Sequence, residues 1–147
     1  MDEVWKEVPS HPEIMASSLG RVWVKPCQRP TPTGGVRTYS GTPTYGHDDT
    51  SATKRADSPY RKILRLERLK KTFKVHQLVC EAFYGPKPTP LHIVLHLDED
   101  PSNNRPENLR WGTRKENQRF PKAQAAFRAR VGDLSPVNIH KQRKATL

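Results

Sequence analysis

The sequence predicts a small α+β fold with short strands, one amphipathic helix and extensive polar loops. Three observations lead there. Residues 91–98 alternate, so that Leu91, Ile93, Leu95 and Leu97 line one face of a strand and His92, Val94, His96 and Asp98 line the other. Val75, Leu78, Val79, Ala82 and Phe83 recur at the i, i+3, i+4, i+7, i+8 spacing of one buried helical stripe. Of the 147 residues, 33% are hydrophobic and 14 are proline, which leaves material for one modest core and long connections.

Residues 1–24 open the chain as a compact module, in which Ser18-Leu19-Gly20 reads as a turn feeding a short strand over 21–24. Residues 25–58 are rich in Pro, Gly, Thr and Ser without a sustained period, the pattern of a long loop or insertion. His47, beside Asp48 and Asp49 in that stretch, reads as part of a solvated loop rather than a metal cluster. Order resumes at Tyr60. "YRKILRLE" and "TFKV" are strand-like, and the basic stretch 68–71 joins them as a hairpin. The helical stripe ends at Gly85-Pro86, and His76 sits in the first turn, off the stripe.

After the alternating strand comes an Asx-rich turn, 98–106, whose side chains can satisfy its own backbone. It lacks the central glycine and the properly spaced distal glutamate of a calcium loop. Asn108-Leu109-Arg110-Trp111 reads as a second strand closing a hairpin. Thr113-Arg-Lys-Glu116 is a capping box, so a helix starts there, carries Asn117 one turn in, and ends or kinks after Phe120 at Pro121. With a regular strand, His96 points away from the core side.

Charge narrows the function classes. Lys and Arg number 26 against 15 acids, a net +11, which suggests a polyanionic partner, nucleic acid first. A membrane surface is disfavoured, because no basic amphipathic helix with a Trp/Phe/Leu face is present. No apolar run approaches the roughly 18 residues of a membrane span, and no secretory signal is visible. Cys27 and Cys80 are far apart, which suits two buried or idle thiols in a reducing compartment and offers no zinc spacing. Arg61, Lys62, Arg65, Arg68, Lys70, Lys71 and Lys74 crowd the first hairpin; a solvated face and a phosphate-contacting one are both open.

Three separated pieces, "WKEV…SSLGRVW", "VHQLVCEAF" and "LHLDEDPSNNRPENLRWGTRKEN", together resemble the HNH homing endonucleases encoded by phages and mobile introns. That family runs VHRLVA-x-x-F, then Asp/Asn-His-x-Asp-Gly-Asn, then N-N-x-x-x-N-L-x-W and a helical Asn. A module with a Trp and a Ser-Asn-x-Gly-Arg-Val signature precedes it. The resemblance covers residues 1–24 and 59–118. It implies a small ββα-metal nuclease core over 59–120 and an N-terminal short-strand module over 1–24; the long Pro/Gly/Thr-rich loop over 25–58 and a basic, helical C-terminal extension over 121–147 are expected beside them, without a counterpart in the family.

The resemblance further implies a metal-dependent DNA endonuclease. His96 takes the place of the general base, and Asn117 that of a ligand for Mg²⁺ or another divalent ion such as Mn²⁺. Asn108 takes the place of the Asn that ties the hairpin together. Asn103 and Asn104 correspond to turn-builders, Trp111 to core packing, and His76 to a helix-start histidine of unassigned role. Arg61, Arg65, Arg68, Lys70, Lys71, Lys74, Arg110, Arg114 and Lys115 are the candidate DNA contacts. The implied reaction is in-line attack by a water deprotonated by neutral His96, leaving a 5′-phosphate and a 3′-hydroxyl.

Two departures matter. Asp98-Glu99-Asp100 stands where the family has Asp-Gly-Asn, and Leu95 stands where many relatives carry an Asp or Asn metal ligand. Two readings follow: a site working with fewer protein ligands, which magnesium tolerates because it keeps waters and takes substrate oxygens, or a catalytically weakened HNH-fold DNA-binding protein. A structural or phage assembly protein that only binds nucleic acid is a third. A monomer would nick and a homodimer could break both strands; a phage or host protein partner is also open. The expected compartment is the cytoplasm of a bacterial host.

Overall fold

The computed structural model describes residues 2–51, 56, 58–121 and 124–125. The chain divides into two compact units, 1–112 and 113–147. In the first unit, β1 (Trp5–Val8), β2 (His11–Ser17) and β3 (Val22–Val24) form an antiparallel meander. Val8, Ile14, Ala16 and Val22 are fully buried, so this short module is part of the core. The β2–β3 turn requires left-handed backbone at Gly20, φ +85°. The buried hydroxyl of Ser17 accepts from the amides of Leu19 and Arg21 and closes it.

The stretch expected to be a long loop carries strands. β4 (Cys27–Pro30) and β5 (Val36–Tyr39) pair antiparallel, with Cys27 opposite Tyr39, and β6 (His47–Asp48) joins β7 (Lys62–Leu66). Every residue of β5 is exposed, as are the last three of β4. Without a buried face, the alternation that reveals a strand in a sequence never arises.

β7 and β8 (Lys71–Lys74) form the expected hairpin through a 3-10 turn at Glu67–Leu69 and a left-handed Lys70, φ 47°. Leu64 and Phe73 are paired on the core face. Arg65 and Lys74 therefore lie on the opposite face, whereas Lys62 and Lys71 share the side of Leu64 and Phe73. The cations of this hairpin do not form one surface.

α1 (Val75–Tyr84) follows directly and packs Val75, Leu78, Val79 and Cys80 into the core, with Ala82 and Phe83 against its edge. Burial pushes the Cys80 thiol up to about 12, which makes it an inert apolar filler. β9 (Ile93–His96) and β10 (Leu109–Gly112) pair antiparallel, placing His96 opposite Leu109, Leu95 opposite Arg110 and Val94 opposite Trp111.

That register corrects the expected orientation of His96. Leu109 belongs to the core, and Val94 and Trp111 pack against it, so their face of the ribbon is the core face, and His96 shares it. Alternation misled because both faces are covered: Leu95, on the other side, is also 0% exposed. In the second unit, α2 (Arg114–Asn117) starts where Thr113 Oγ1 accepts from the Glu116 amide. It ends at Asn117 rather than at Phe120, and Pro121 begins a further helical segment. Proline's fixed φ suits a first helical turn. Residues 126–147, most of the expected C-terminal extension, lie outside the described residues.

Candidate active site

The site begins with the chain leaving β9. The Leu97 amide continues the ladder to the Asn108 carbonyl, and the loop then turns through Glu99, a non-glycine residue at φ 59°. Asp98 and Asn108 lock this loop together. The Asp98 amide donates to Asn108 Oδ1 at 2.9 Å. Asn108 Nδ2 donates to Asp98 Oδ1 at 2.8 Å and to the Asn103 carbonyl at 2.9 Å. Asn103 Nδ2 reaches Asp98 Oδ2 at 2.8 Å. Burial raises the Asp98 pKa, but the hydrogen bonds from Asn103, the Asp100 amide and Asn108 outweigh it and hold the carboxyl below its ordinary value.

Asn108 is 8% exposed and uses both ends of its amide here. Asn108→Ala leaves the Asp98 amide and carboxylate short of partners, at a cost of about 1–3 kcal/mol. Urea unfolding should show that loss; a midpoint unchanged from wild type would mean the loop is held by other contacts.

The locked loop delivers Asn104 to His96. Asn104 is 4% exposed, and its Oδ1 lies 2.9 Å from His96 Nε2. An amide oxygen only accepts, so in the neutral imidazole the proton sits on Nε2 and the lone pair on Nδ1. Nothing in the spacing of the sequence separates Asn104 from Asn103, so this contact has no signal there.

His76, from the first turn of α1, closes the other side. It is 7% exposed, and its ring meets that of His96 edge-on with centroids 5.3 Å apart. Burial, reinforced by His96, Arg61 and Lys74, lowers its pKa to about 3, so it is neutral at any ordinary pH. Burial also lowers the pKa of His96. Arg61 pushes the same way, while the Asn104 hydrogen bond, Asp98 and Asp100 oppose it. The outcome is a neutral imidazole held between a neutral wall and an amide. His76 had no assigned role in the sequence, and its off-stripe position in the first turn was the one available signal.

The other predicted residues are dispersed. Trp111 Nε1 donates to the Gly85 carbonyl at 2.9 Å, tying β10 to the end of α1. Arg61 and Lys74 lie near enough to influence His76, and Arg61 also influences His96. Arg68 donates to Cys27 Sγ at 2.7 Å, and Lys71 lies over the Phe73 ring at 5.4 Å. Arg110 is exposed on the face of the ribbon away from His96. Arg114, Lys115 and Asn117 are exposed on α2 in the second unit. Among the described residues, no three His, Cys, Asp or Glu side chains gather as a metal cluster. A separate groove of about 700 Å³, lined by Val22, Cys27, Arg37, Tyr39 and Arg68 among others, does not include His96.

Comparison with known proteins relates one segment of the chain to a described family. Residues 73–119 match a family model described as HNH endonuclease. Among solved structures, the chain is similar to "DNA binding and cleavage by the HNH homing endonuclease I-HmuI", at 25% identity over 87% of this chain and 67% of that one, with a TM-score of 0.48. No curated protein sequence matches the chain. The matched segment runs from β8 through α1, β9 and β10 to α2 of an α+β fold, and is similar there to the HNH endonuclease family.

Proposed function

We propose that this HNH endonuclease domain hydrolyses DNA phosphodiester bonds, with His96 as the general base. The observation that carries the reading is the state of His96: neutral, with Nε2 engaged by Asn104 and its pKa lowered by burial. A base must be unprotonated before it can accept a proton from water, and a lowered pKa keeps it so at neutral pH. His96 Nδ1 accepts the proton of a water whose oxygen bonds to phosphorus in line as the P–O3′ bond breaks, and the departing 3′-oxygen takes a proton from solvent.

Among the described residues, no cluster of His, Cys, Asp or Glu side chains is offered to a metal. Leu95 is apolar and fully buried where relatives supply an oxygen, and Asn117 on α2 contributes one amide oxygen. That donor set does not suit zinc. It does fit a hard ion such as Mg²⁺ or Mn²⁺, which keeps its waters and takes substrate oxygens. Such an ion, held at Asn117, would supply charge stabilisation to a phosphoryl group.

DNA as the substrate is supported by the net charge of +11 and by the cations around the imidazole pair. Arg61 and Lys74 lie near the imidazole pair, and Arg65 and Lys74 lie on the face of the hairpin opposite Lys62, which is paired with Asp48. Among the described residues, no helix is long and apolar enough to cross a membrane. Replacing Arg61, Arg65 and Lys74 by Gln should weaken DNA binding and flatten its log–log salt dependence by about 0.9 per lost phosphate contact. An unchanged salt slope would place DNA on another face.

Product chemistry tests the reaction itself. Nicked DNA should carry a 5′-phosphate and a 3′-hydroxyl and be resealed directly by DNA ligase. Ends that ligase cannot join would point to a different attacking group. A catalytically weakened DNA-binding protein is the second reading, and the buried Leu95 is what favours it.

A further inference from the structure

We propose that Asn104 is the positioning residue of His96, and that the turn of the N-terminal sheet at 17–21 holds Asn104 in place. The inference rests on His96 as the base. Three observations converge on it. Asn104 Oδ1 lies 2.9 Å from His96 Nε2. Asn104 is 4% exposed, and its Nδ2 is buried without a hydrogen-bond partner among the described residues. A β-carbon on Gly20 would stand 2.7 Å from the Asn104 carbonyl carbon and 2.8 Å from its oxygen.

An Asn with an idle buried donor is a poor choice for stability, since an unmade buried hydrogen bond costs free energy that an apolar residue would not. Its oxygen, however, fixes the proton on Nε2 and leaves Nδ1 as the basic nitrogen. Among the described residues, Asn104 is the side chain hydrogen-bonded to the His96 ring, and His76 meets it edge-on through the ring. The backbone of Asn104 is held from behind. Gly20 touches it so closely that no side chain fits, and the turn carrying Gly20 is itself closed by Ser17 and by the Gly20 amide donating to the Ser17 carbonyl. The "SSLGRVW" stretch thereby acquires a role in the active site, not only in the N-terminal module.

Long-range ¹H–¹⁵N spectra of the whole chain, labelled at histidine, read the tautomer directly, with His96 identified by its loss in His96→Ala. Wild type should show Nε2 protonated and Nδ1 bare. Asn104→Leu should give a mixture of tautomers and a kcat lower by about 10- to 100-fold, a part of the roughly 10²–10⁴ that general-base catalysis contributes. Asn104→Asp keeps an acceptor and should keep the Nε2–H tautomer. Its carboxylate joins Asp98 and Asp100 in raising the His96 pKa against Arg61 and neutral His76, so its activity should be recovered only at higher pH.

Gly20→Ala should disturb the tautomer as Asn104→Leu does; should it fail to fold, the two Asn104 variants decide. A proton on Nδ1 in wild type, or a tautomer indifferent to Asn104→Leu, would overturn the proposal. A tautomer that shifts in Asn104→Leu without loss of rate would instead overturn His96 as the base.

Discussion

His96→Ala should lower the cleavage rate by about 10²- to 10⁴-fold, the usual contribution of a positioned general base, while leaving DNA affinity within a few-fold of wild type. Affinity survives because neutral His96 neutralises no phosphate. Its pKa is lowered by burial and by Arg61, against the pull of Asn104, Asp98 and Asp100, with neutral His76 across from it. The active form is the unprotonated one. A lowered pKa therefore moves the acidic limb of the rate profile below about 6.5, the value of an ordinary imidazole. Single-turnover rates measured across pH for wild type and variant check both parts. Residual cleavage within a few-fold of wild type would remove His96 from the mechanism.

Leu95→Asp should cost stability on the scale of roughly 3–5 kcal/mol, as an uncompensated buried charge does. Leu95 is 0% exposed, so the carboxylate loses its water. Arg110, opposite on the same face of the ribbon, can offset part of that loss. Burial raises the pKa of the new carboxyl, so its protonation relieves the penalty as pH falls: the deficit should be large at pH 7 and shrink toward pH 4. If this position can serve as the family's oxygen ligand, Mg²⁺ should raise the melting temperature of Leu95→Asp more than that of wild type. A variant that melts like wild type at pH 7 would show that Leu95 is not where the structure puts it. Asn117→Ala complements this test by requiring more Mg²⁺ for half-maximal cleavage.

Much of the fold was legible because it obeys one period at a time. The α1 stripe is read straight from Val75, Leu78 and Val79, which are buried in the structure. The ribbon of β4 and β5 was not legible, because exposed residues carry no alternation. The orientation of β9 failed for the opposite reason. With Leu95 buried on one face and Val94 packed on the other, hydrophobicity could not say which side α1 covers. At the candidate site, the motif singles out His96 as a candidate, whereas the contact from Asn104 has no signal in the sequence. That contact depends on a loop shaped by Asp98, Asn103 and Asn108, and on a glycine more than eighty residues earlier. Neither leaves a periodic trace.

The central claim is that this domain cuts DNA rather than merely binding it, and conversion of supercoiled plasmid tests it most directly. Wild-type protein with Mg²⁺ or Mn²⁺ should convert supercoiled DNA to the nicked or linear form, and a chelator should stop it. Tight, salt-sensitive binding with no conversion under either metal would contradict the account and leave a DNA-binding protein on an HNH scaffold.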